Sequence, residues 1–381
     1  MRPRADAAVV GAGPAGLMAA AYLAFRGFDV VVFEEDAIIG RPERCAGLYS
    51  LWGLKALRIP ADGPYLQNRV MGAVFTSPSG ESFTVKAPSE VAVVCNRERF
   101  DQYLAEKALD NGATIYLGVH VRDIHRRDGG YVLDTGAGQV EASYLLVAEG
   151  RKAHIARRIY PGYRLGPWIP IIQYQVAGHG QDPDLVYLYF TRYLPDFFAY
   201  LVPVDGDVGK LGVAAVKNTW ALSLRFLREY FPGARILGVS SSSVYVGPPL
   251  PDPKIGNAFL LGDVAGQVKA TTGGGVVYGG LYALAAARHI AGMADFYSTV
   301  KPLQRELENT YLLRRLVSRI GPAMLDTLFR SVGESGMAER LGRLGNMERH
   351  HNTLLRSLLH PSATLLALHL IKNYLQAILK S

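Results

Sequence analysis

The sequence predicts an α/β protein: a Rossmann-type domain, an antiparallel β-sheet substrate domain set into it, and a helical C-terminal region. Three observations predict this. A glycine-rich turn joins an apolar run to a small-residue helix near the N-terminus, a Gly-Asp pair closes another apolar run near residue 260, and the stretch between is dense in Tyr, Phe and Val with short turns.

The first element is the apolar run ending at Val10, followed by Gly11-Ala-Gly13-Pro-Ala15-Gly16. The first glycine permits a tight turn, the second lets backbone approach a pyrophosphate, and the third lets a helix over 14–26 pack on its strand. Helix N–H groups then face the phosphates. A second run, Val30 to Phe33, leads into Glu34, about twenty residues on, an acceptor for ribose hydroxyls; a basic residue there would suit a phosphorylated ribose. Nicotinamide dehydrogenases share this fingerprint. The distal Gly262-Asp263 turns the reading towards FAD.

A loop with Gly40-Arg-Pro-Glu-Arg-Cys-Ala-Gly47 follows, and residues 69–86 carry two β-like runs around Ser77-Pro-Ser-Gly80, an excursion into the second domain. Asn96 caps a helix whose Phe100, Tyr103, Leu104, Lys107 and Ala108 share a face, and Asn111-Gly112 ends it. A strand over 113–118 and a meander over 119–147 lead to Ala148-Glu149-Gly150 at the cofactor. Residues 165–247 read as an antiparallel sheet with one helix near 219–230, and an alanine-rich helix runs to about Ile290. The FAD-binding domain is thus expected over 1–66, 88–164 and 248–300, the substrate domain over 67–87 and 165–247, and the helical region over 301–381.

Of the 381 residues 49% are hydrophobic and 19% charged, enough for a substantial core. Cys45 and Cys95 make no disulfide framework and suit no zinc site, so no metal is expected. The first strand begins near Met1 without a signal-like apolar stretch, and a cytoplasmic location is expected. Formal charge is +8, and residues 301–381 hold twelve Lys/Arg against six Asp/Glu. That excess fits peripheral contact with an anionic membrane; no motif or aromatic-basic ladder points to nucleic acid. No segment reaches the roughly 20 apolar residues that span a bilayer. Within Ser362–Leu379, Leu365, Leu368, Ile371, Leu375 and Leu379 recur on one helical face, either docked on the protein or anchoring it at a surface.

The stretch Phe259-Leu-Leu-Gly262-Asp263-Val-Ala-Gly-Gln-Val-Lys-Ala-Thr-Thr-Gly273-Gly274-Gly275-Val276 carries a resemblance. The chain resembles the geranylgeranyl reductase family, within the p-hydroxybenzoate hydroxylase-like flavoproteins, and in particular its archaeal digeranylgeranylglycerophospholipid reductase branch, over most of residues 5–290. The resemblance implies that Gly262 and Asp263 bind the ribityl or pyrophosphate part of FAD and that Gly273, Gly274, Gly275 and Val276 bring a helix N-terminus to the pyrimidine edge. Arg97, in Asn-Arg-Glu-Arg-Phe-Asp, stands at the family's FAD-contacting arginine, with Arg99 as its rival. Val121 stands where backbone touches the adenine side, and Glu149 where many relatives carry Asp.

The loop Arg41-Pro-Glu-Arg-Cys45-Ala46-Gly47 resembles the one that places a cysteine and its successor beside the isoalloxazine ring, which gives Cys45 a catalytic or gating role. By composition alone Cys45 would be a small buried hydrophobe, and a bridge to Cys95 is a further option. The family's Tyr-x-Trp-x-Phe-Pro pattern is replaced here by Phe198-Ala-Tyr200-Leu-Val202-Pro203. Phe198, Tyr200 and Pro203 are the expected substrate contacts, with Tyr187, Tyr189, Phe190 and Phe197 available to line an apolar tunnel or fill an ordinary core.

The implied function is saturation of isoprenoid (geranylgeranyl) double bonds of membrane-lipid precursors, with hydride from flavin N5 and a proton from Cys45, a tyrosine or water. No second glycine-rich nucleotide site is visible, so an external donor, NADPH or ferredoxin-type, supplies the electrons. The rivals are an FAD monooxygenase of the same fold and a flavin-stabilised lipid-binding protein without turnover. A halogenase is disfavoured because its Trp-x-Trp-x-Ile-Pro segment is missing.

Overall fold

The computed structural model describes residues 4–127 and 129–350, with Thr353, Thr364, Ala367 and His369 beyond them. The apolar stripe expected on Leu365, Leu368, Ile371, Leu375 and Leu379 lies outside the described residues.

The chain opens with β1 (Arg4–Val10), α1 (Pro14–Phe25) and β2 (Val30–Phe33). Small residues make this unit tight: Ala15, Gly16, Ala19 and Ala20 are buried on α1, and Pro14 starts the helix where no backbone donor is needed. Then come β3 (Leu48–Ser50), α2 (Leu51–Leu57), β4 (Leu66–Val70), β5 (Gly72–Thr76), β6 (Ser82–Lys86), β7 (Ala92–Cys95) and α3 (Arg97–Asp110). Asn96 caps α3 as its sequence predicts, its Oδ1 accepting from Arg99 N at 2.9 Å. The meander is β9 (Val121–Arg127), β10 (Gly130–Thr135) and β11 (Gly138–Val147), preceded by β8 (Thr114–Tyr116) and followed by α4 (Ala156–Ile159).

The second sheet is built from β12 (Trp168–Ala177), β13 (Leu185–Tyr189), β14 (Ala199–Pro203), β15 (Val208–Ala214) and β16 (Arg235–Tyr245), with α5 (Thr219–Tyr230) before the last strand. The chain closes with β17 (Lys254–Ile255), β18 (Ala258–Leu260), α6 (Val276–Ile290), α7 (Phe296–Val317), α8 (Pro322–Glu334) and α9 (Met337–Leu344).

Among the described residues these strands form three sheets. In the first, the order β17-β18-β11-β1-β2-β8 puts β1 between two parallel partners, and α1, α3 and α6 pack together against it around Leu17, Leu23, Phe100 and Tyr282. The second runs β16-β12-β15-β14-β13-β5-β6, with α5 burying Phe226 and Leu227 against one face. The third, β3-β7-β4, lies between them in the chain path. The runs over 69–86 therefore divide: residues through Val70 pair with β7, while β5 and β6 form the hairpin, and β5 pairs with β13 in parallel. The C-terminal helices α8 and α9 pack on β6. The α/β reading, with its antiparallel sheet and helical C-terminal region, holds.

Candidate functional site

The β1–α1 turn supplies the first wall. Gly11 has φ +99°, and a methyl group there would stand 2.5 Å from the carbonyl oxygen of Ala148, so only glycine lets β1 pass this close to β11. Gly16 does not reach the cavity; a methyl group on it would meet Gly11 O at 2.2 Å, the helix-to-strand approach its position predicts. Gly13, at φ −76°, has nothing within 4 Å of where its side chain would be, and with Ala15 it lines the cavity. No side chain caps α1, leaving its first N–H groups directed at that space. Glu34 stands at the end of β2, its Oε2 accepting from Ala12 N at 2.7 Å and its Oε1 from Asp36 N at 2.9 Å. Buried Val121 lines the same end of the cavity.

Opposite stand Gly262, Asp263, Gly274, Gly275 and Val276, which also line the cavity. Gln267, which sequence reasoning did not single out, holds their turn by accepting from Gly262 N at 2.6 Å and donating to Leu260 O at 3.1 Å. Asp263 Oδ1 lies 2.9 Å from a methyl group built on Gly275, so only glycine lets the start of α6 approach it. Burial raises the Asp263 pKa, and the Arg97 charge works against that rise. Arg97, not the exposed Arg99, lines the cavity, its Nε 2.7 Å from Asp101 Oδ1. Burial opposes the Arg97 charge, yet Asp101 and its neighbours hold its pKa well above the ordinary value. Glu149 lines the cavity but spends its carboxylate on the chain, accepting from the backbone N–H groups of His154, Ile155 and Ala156 at 2.8, 3.0 and 2.8 Å.

The loop over 40–47 crosses between these walls. Cys45 and Ala46 line the cavity, whereas Gly47 is buried behind them: its φ is +74°, and a methyl group would fall 2.0 Å from Cys95 O. Gly47 N donates to Cys45 Sγ at 3.4 Å. Both thiols are free; Cys95 is fully buried, and burial pushes its pKa up to about 12. The loop is fastened by residues with no motif. Gln173 Nε2 donates to Cys45 O at 3.4 Å and Tyr200 donates to Gln173 Oε1 at 2.8 Å, while Glu43 accepts from Lys210 at 2.7 Å.

The walls enclose one cavity of about 1270 Å³, above the ~300–1,000 Å³ usual for a single small-molecule pocket. Beyond Cys45 it continues as an arm lined by Val70, Ala73, Val186, Leu188, Phe198 and Val202. Strand alternation decides which aromatic residues take part. Phe198, Tyr200 and Val202 line the arm, while Ala199 and Leu201 pack beneath α5. Pro203 falls on the second parity and does not line the arm; its carbonyl accepts from Asn68 Nδ2 at 3.1 Å. Tyr187 and Tyr189 join the core beneath α5, and Phe190 packs on Phe198 and Phe329 outside the arm. Phe197 does line it.

Two further features escaped the sequence reading. Lys269 and Glu348 form a buried ion pair in the cavity wall, and the segment after α9 closes that side. Among the described residues no cluster of His, Cys, Asp and Glu could hold a metal ion, and no helix is long and apolar enough to cross a membrane.

The chain is similar to several known proteins. The FAD binding domain family matches residues 4–162. Digeranylgeranylglycerophospholipid reductase 1 of Methanopyrus kandleri is 30% identical over 288 residues, covering 71% of this chain and 76% of that protein. The reductase of the same name from Methanosphaera stadtmanae is 29% identical over 305 residues, 74% of each. Among solved structures, a geranylgeranyl bacteriochlorophyll reductase-like protein from Thermoplasma acidophilum superposes with a TM-score of 0.81 at 20% identity, covering 96% of this chain and 98% of that one. A p-nitrophenol 4-monooxygenase from Pseudomonas putida gives 0.67 at 17% identity, covering 88% and 95%. At such identities these two structures speak for the fold alone.

Proposed function

The chain belongs to the digeranylgeranylglycerophospholipid reductase family and is an FAD-dependent oxidoreductase, and on that premise we propose that it saturates geranylgeranyl double bonds of membrane-lipid precursors. One observation carries this reading: a single cavity is lined both by the Gly11–Ala15 turn and Glu34 and, past Cys45, by the apolar residues of an arm in the second sheet. The residues present fit FAD. Gly11, Gly13 and the uncapped start of α1 would receive the pyrophosphate, Glu34 the adenosine ribose, and Arg97, Asp263 and the Gly274–Val276 turn the flavin half. Bound and reduced, FAD supplies a hydride equivalent to the substrate carbon.

The chain does the rest. Val186, Leu188, Phe198 and Val202 bind the prenyl chain, each buried CH2 contributing roughly 0.8 kcal/mol, and keep water from the double bond. Cys45 stands where the two parts of the cavity meet, and it is our candidate to place a proton on the second alkene carbon. Tyr200 and Gln173 orient its loop. Electrons come from an external donor, NADPH or a ferredoxin-type protein. The basic C-terminal region meets anionic headgroups at a membrane surface, so a salt wash should release the protein from anionic vesicles.

Anaerobic incubation of the reduced protein with a geranylgeranyl lipid tests the proposal by mass spectrometry. The expected product gains two hydrogens for each double bond. Oxygen-dependent mass addition would make the protein a monooxygenase, and a bound but unchanged lipid would make it a binder.

A further inference from the structure

The strongest feature left without a role is the pair Lys269–Glu348, and the inference from it rests on the flavin reading above. Lys269 Nζ and Glu348 Oε2 are 2.8 Å apart, with side chains 6% and 3% exposed, and both residues line the cavity. Glu348 arrives on the segment after α9, where its Oε1 accepts from the Ser50 hydroxyl at 2.8 Å. Lys269 also donates to Met347 O at 2.7 Å. Its backbone N–H bonds to Gly274 O at 3.1 Å, and a methyl group built on Gly274 would lie 3.1 Å from Lys269 Cε and 3.6 Å from Nζ. The ammonium group therefore rests against the glycine backbone that faces the cavity.

Stability does not account for this placement. A pair so deeply buried costs in desolvation about what its attraction returns, and apolar replacements are often neutral or stabilising. Position does account for it. Gly11, Gly13 and Glu34 would hold the adenosine half of a dinucleotide at one end, and its second half would then lie towards Asp263 and Gly274–Val276, which line the same cavity. There α6 starts without a side-chain cap, and its first N–H groups would favour the electron-rich edge of a flavin ring held there. Two-electron reduction adds negative charge at that edge, in a region of low dielectric where a nearby cation acts strongly.

We propose that Lys269 and Glu348 together set how readily the bound flavin is reduced, Lys269 favouring the reduced ring and Glu348 moderating it. The carboxylate comes from a segment remote in sequence from the dinucleotide fingerprint, which makes the seating of residues 345–350 part of the redox site.

Midpoint potentials of the FAD-loaded full-length chain, measured by anaerobic titration against a reference dye, test this. Lys269→Met should shift the two-electron reduction equilibrium at least tenfold towards oxidised flavin, about 30 mV more negative. Glu348→Gln should shift it towards reduced flavin, because the ammonium loses its counter-charge, and Lys269→Arg should stay close to the parent. Glu348→Gln preserves shape, so its shift stays readable even where Lys269→Met holds flavin poorly. Unshifted potentials in flavin-replete Lys269→Met and Glu348→Gln, or shifts of the same sign in both, overturn the proposal. A parent chain that takes up no flavin removes the site reading itself, and this inference with it.

Discussion

Glu43 Oε1 lies 2.7 Å from Lys210 Nζ, and that contact ties the loop carrying Cys45 to strand β15 of the second sheet. The same oxygen accepts from Arg97 N at 2.9 Å, and Lys210 donates to Cys95 O at 2.9 Å, so one buried ammonium holds a loop, a helix start and a strand end in register. Removing one member of a buried pair costs about 3–5 kcal/mol. Glu43 is 29% exposed and keeps its bond from Arg97, so Lys210→Met should cost less, about 2–3 kcal/mol, read as a lowered urea midpoint. Adding Glu43→Gln should recover part of that loss, because the stranded charge disappears.

Gly13 offers a cleaner probe of the cofactor than Gly11. A side chain at Gly11 meets Ala148 O and demands a positive φ, so Gly11→Ala should damage the fold itself. Gly13 has an ordinary φ and open space. Gly13→Ala should leave the melting temperature of the flavin-free protein unchanged while weakening FAD at least tenfold, about 1.4 kcal/mol, in a fluorescence titration. Equal FAD affinity in the two proteins would mean that no pyrophosphate approaches Gly13.

Local chemistry made much of this legible. The Gly11–Gly16 turn, the Asn96 cap and the Gly262–Asp263 turn are set by neighbours in sequence, and each stands where its residues predict. Alternation decided Pro203: it follows Val202 on the strand, so it faces the second side of the sheet, and the pattern Phe198-x-Tyr200-x-Val202 already held that information. The fastenings were not legible. Glu43 with Lys210 and Lys269 with Glu348 join residues far apart in sequence, and a lone Lys or Glu reads as a solvated surface charge until the fold brings its partner.

The two cysteines should separate by alkylation. Cys45 lines the cavity, while Cys95 is fully buried with a pKa pushed up to about 12, so at pH 8 it holds almost no thiolate. Iodoacetamide should add one group, on Cys45, and bound FAD or lipid should slow the addition; peptide mass spectrometry reads both. Modification of Cys95 at a comparable rate would contradict the packing around β7.

His350 should give the fold an acid-sensitive term. Its Nε2 donates to Met347 O at 3.0 Å, its Nδ1 lies 3.0 Å from Thr271 Oγ1, and burial, aided by the Lys269 charge and opposed by Glu348, lowers its pKa to about 4. The folded value lies below the unfolded one of about 6.5, so the unfolded chain binds more protons between them. Stability is full above pH 6.5 and falls by up to about 3 kcal/mol as pH drops to 4. His350→Gln should flatten that part of the pH profile in chemical denaturation, and an unchanged slope would place the titration elsewhere.

Strand parity makes the sharpest test of the apolar arm. Val202 is 2% exposed and faces the arm, while Pro203 turns away from it, so neighbouring positions should behave as opposites. Val202→Trp adds a large side chain to the space a prenyl chain would occupy and should raise KM for a geranylgeranyl lipid at least tenfold, with the visible flavin spectrum and FAD content unchanged. Pro203→Ala should leave KM within about twofold, since it removes atoms on the second face and keeps the carbonyl that Asn68 binds. Equal sensitivity at the two positions would mean that the lipid does not lie along β14, because no ligand on one face of a strand reads both parities alike.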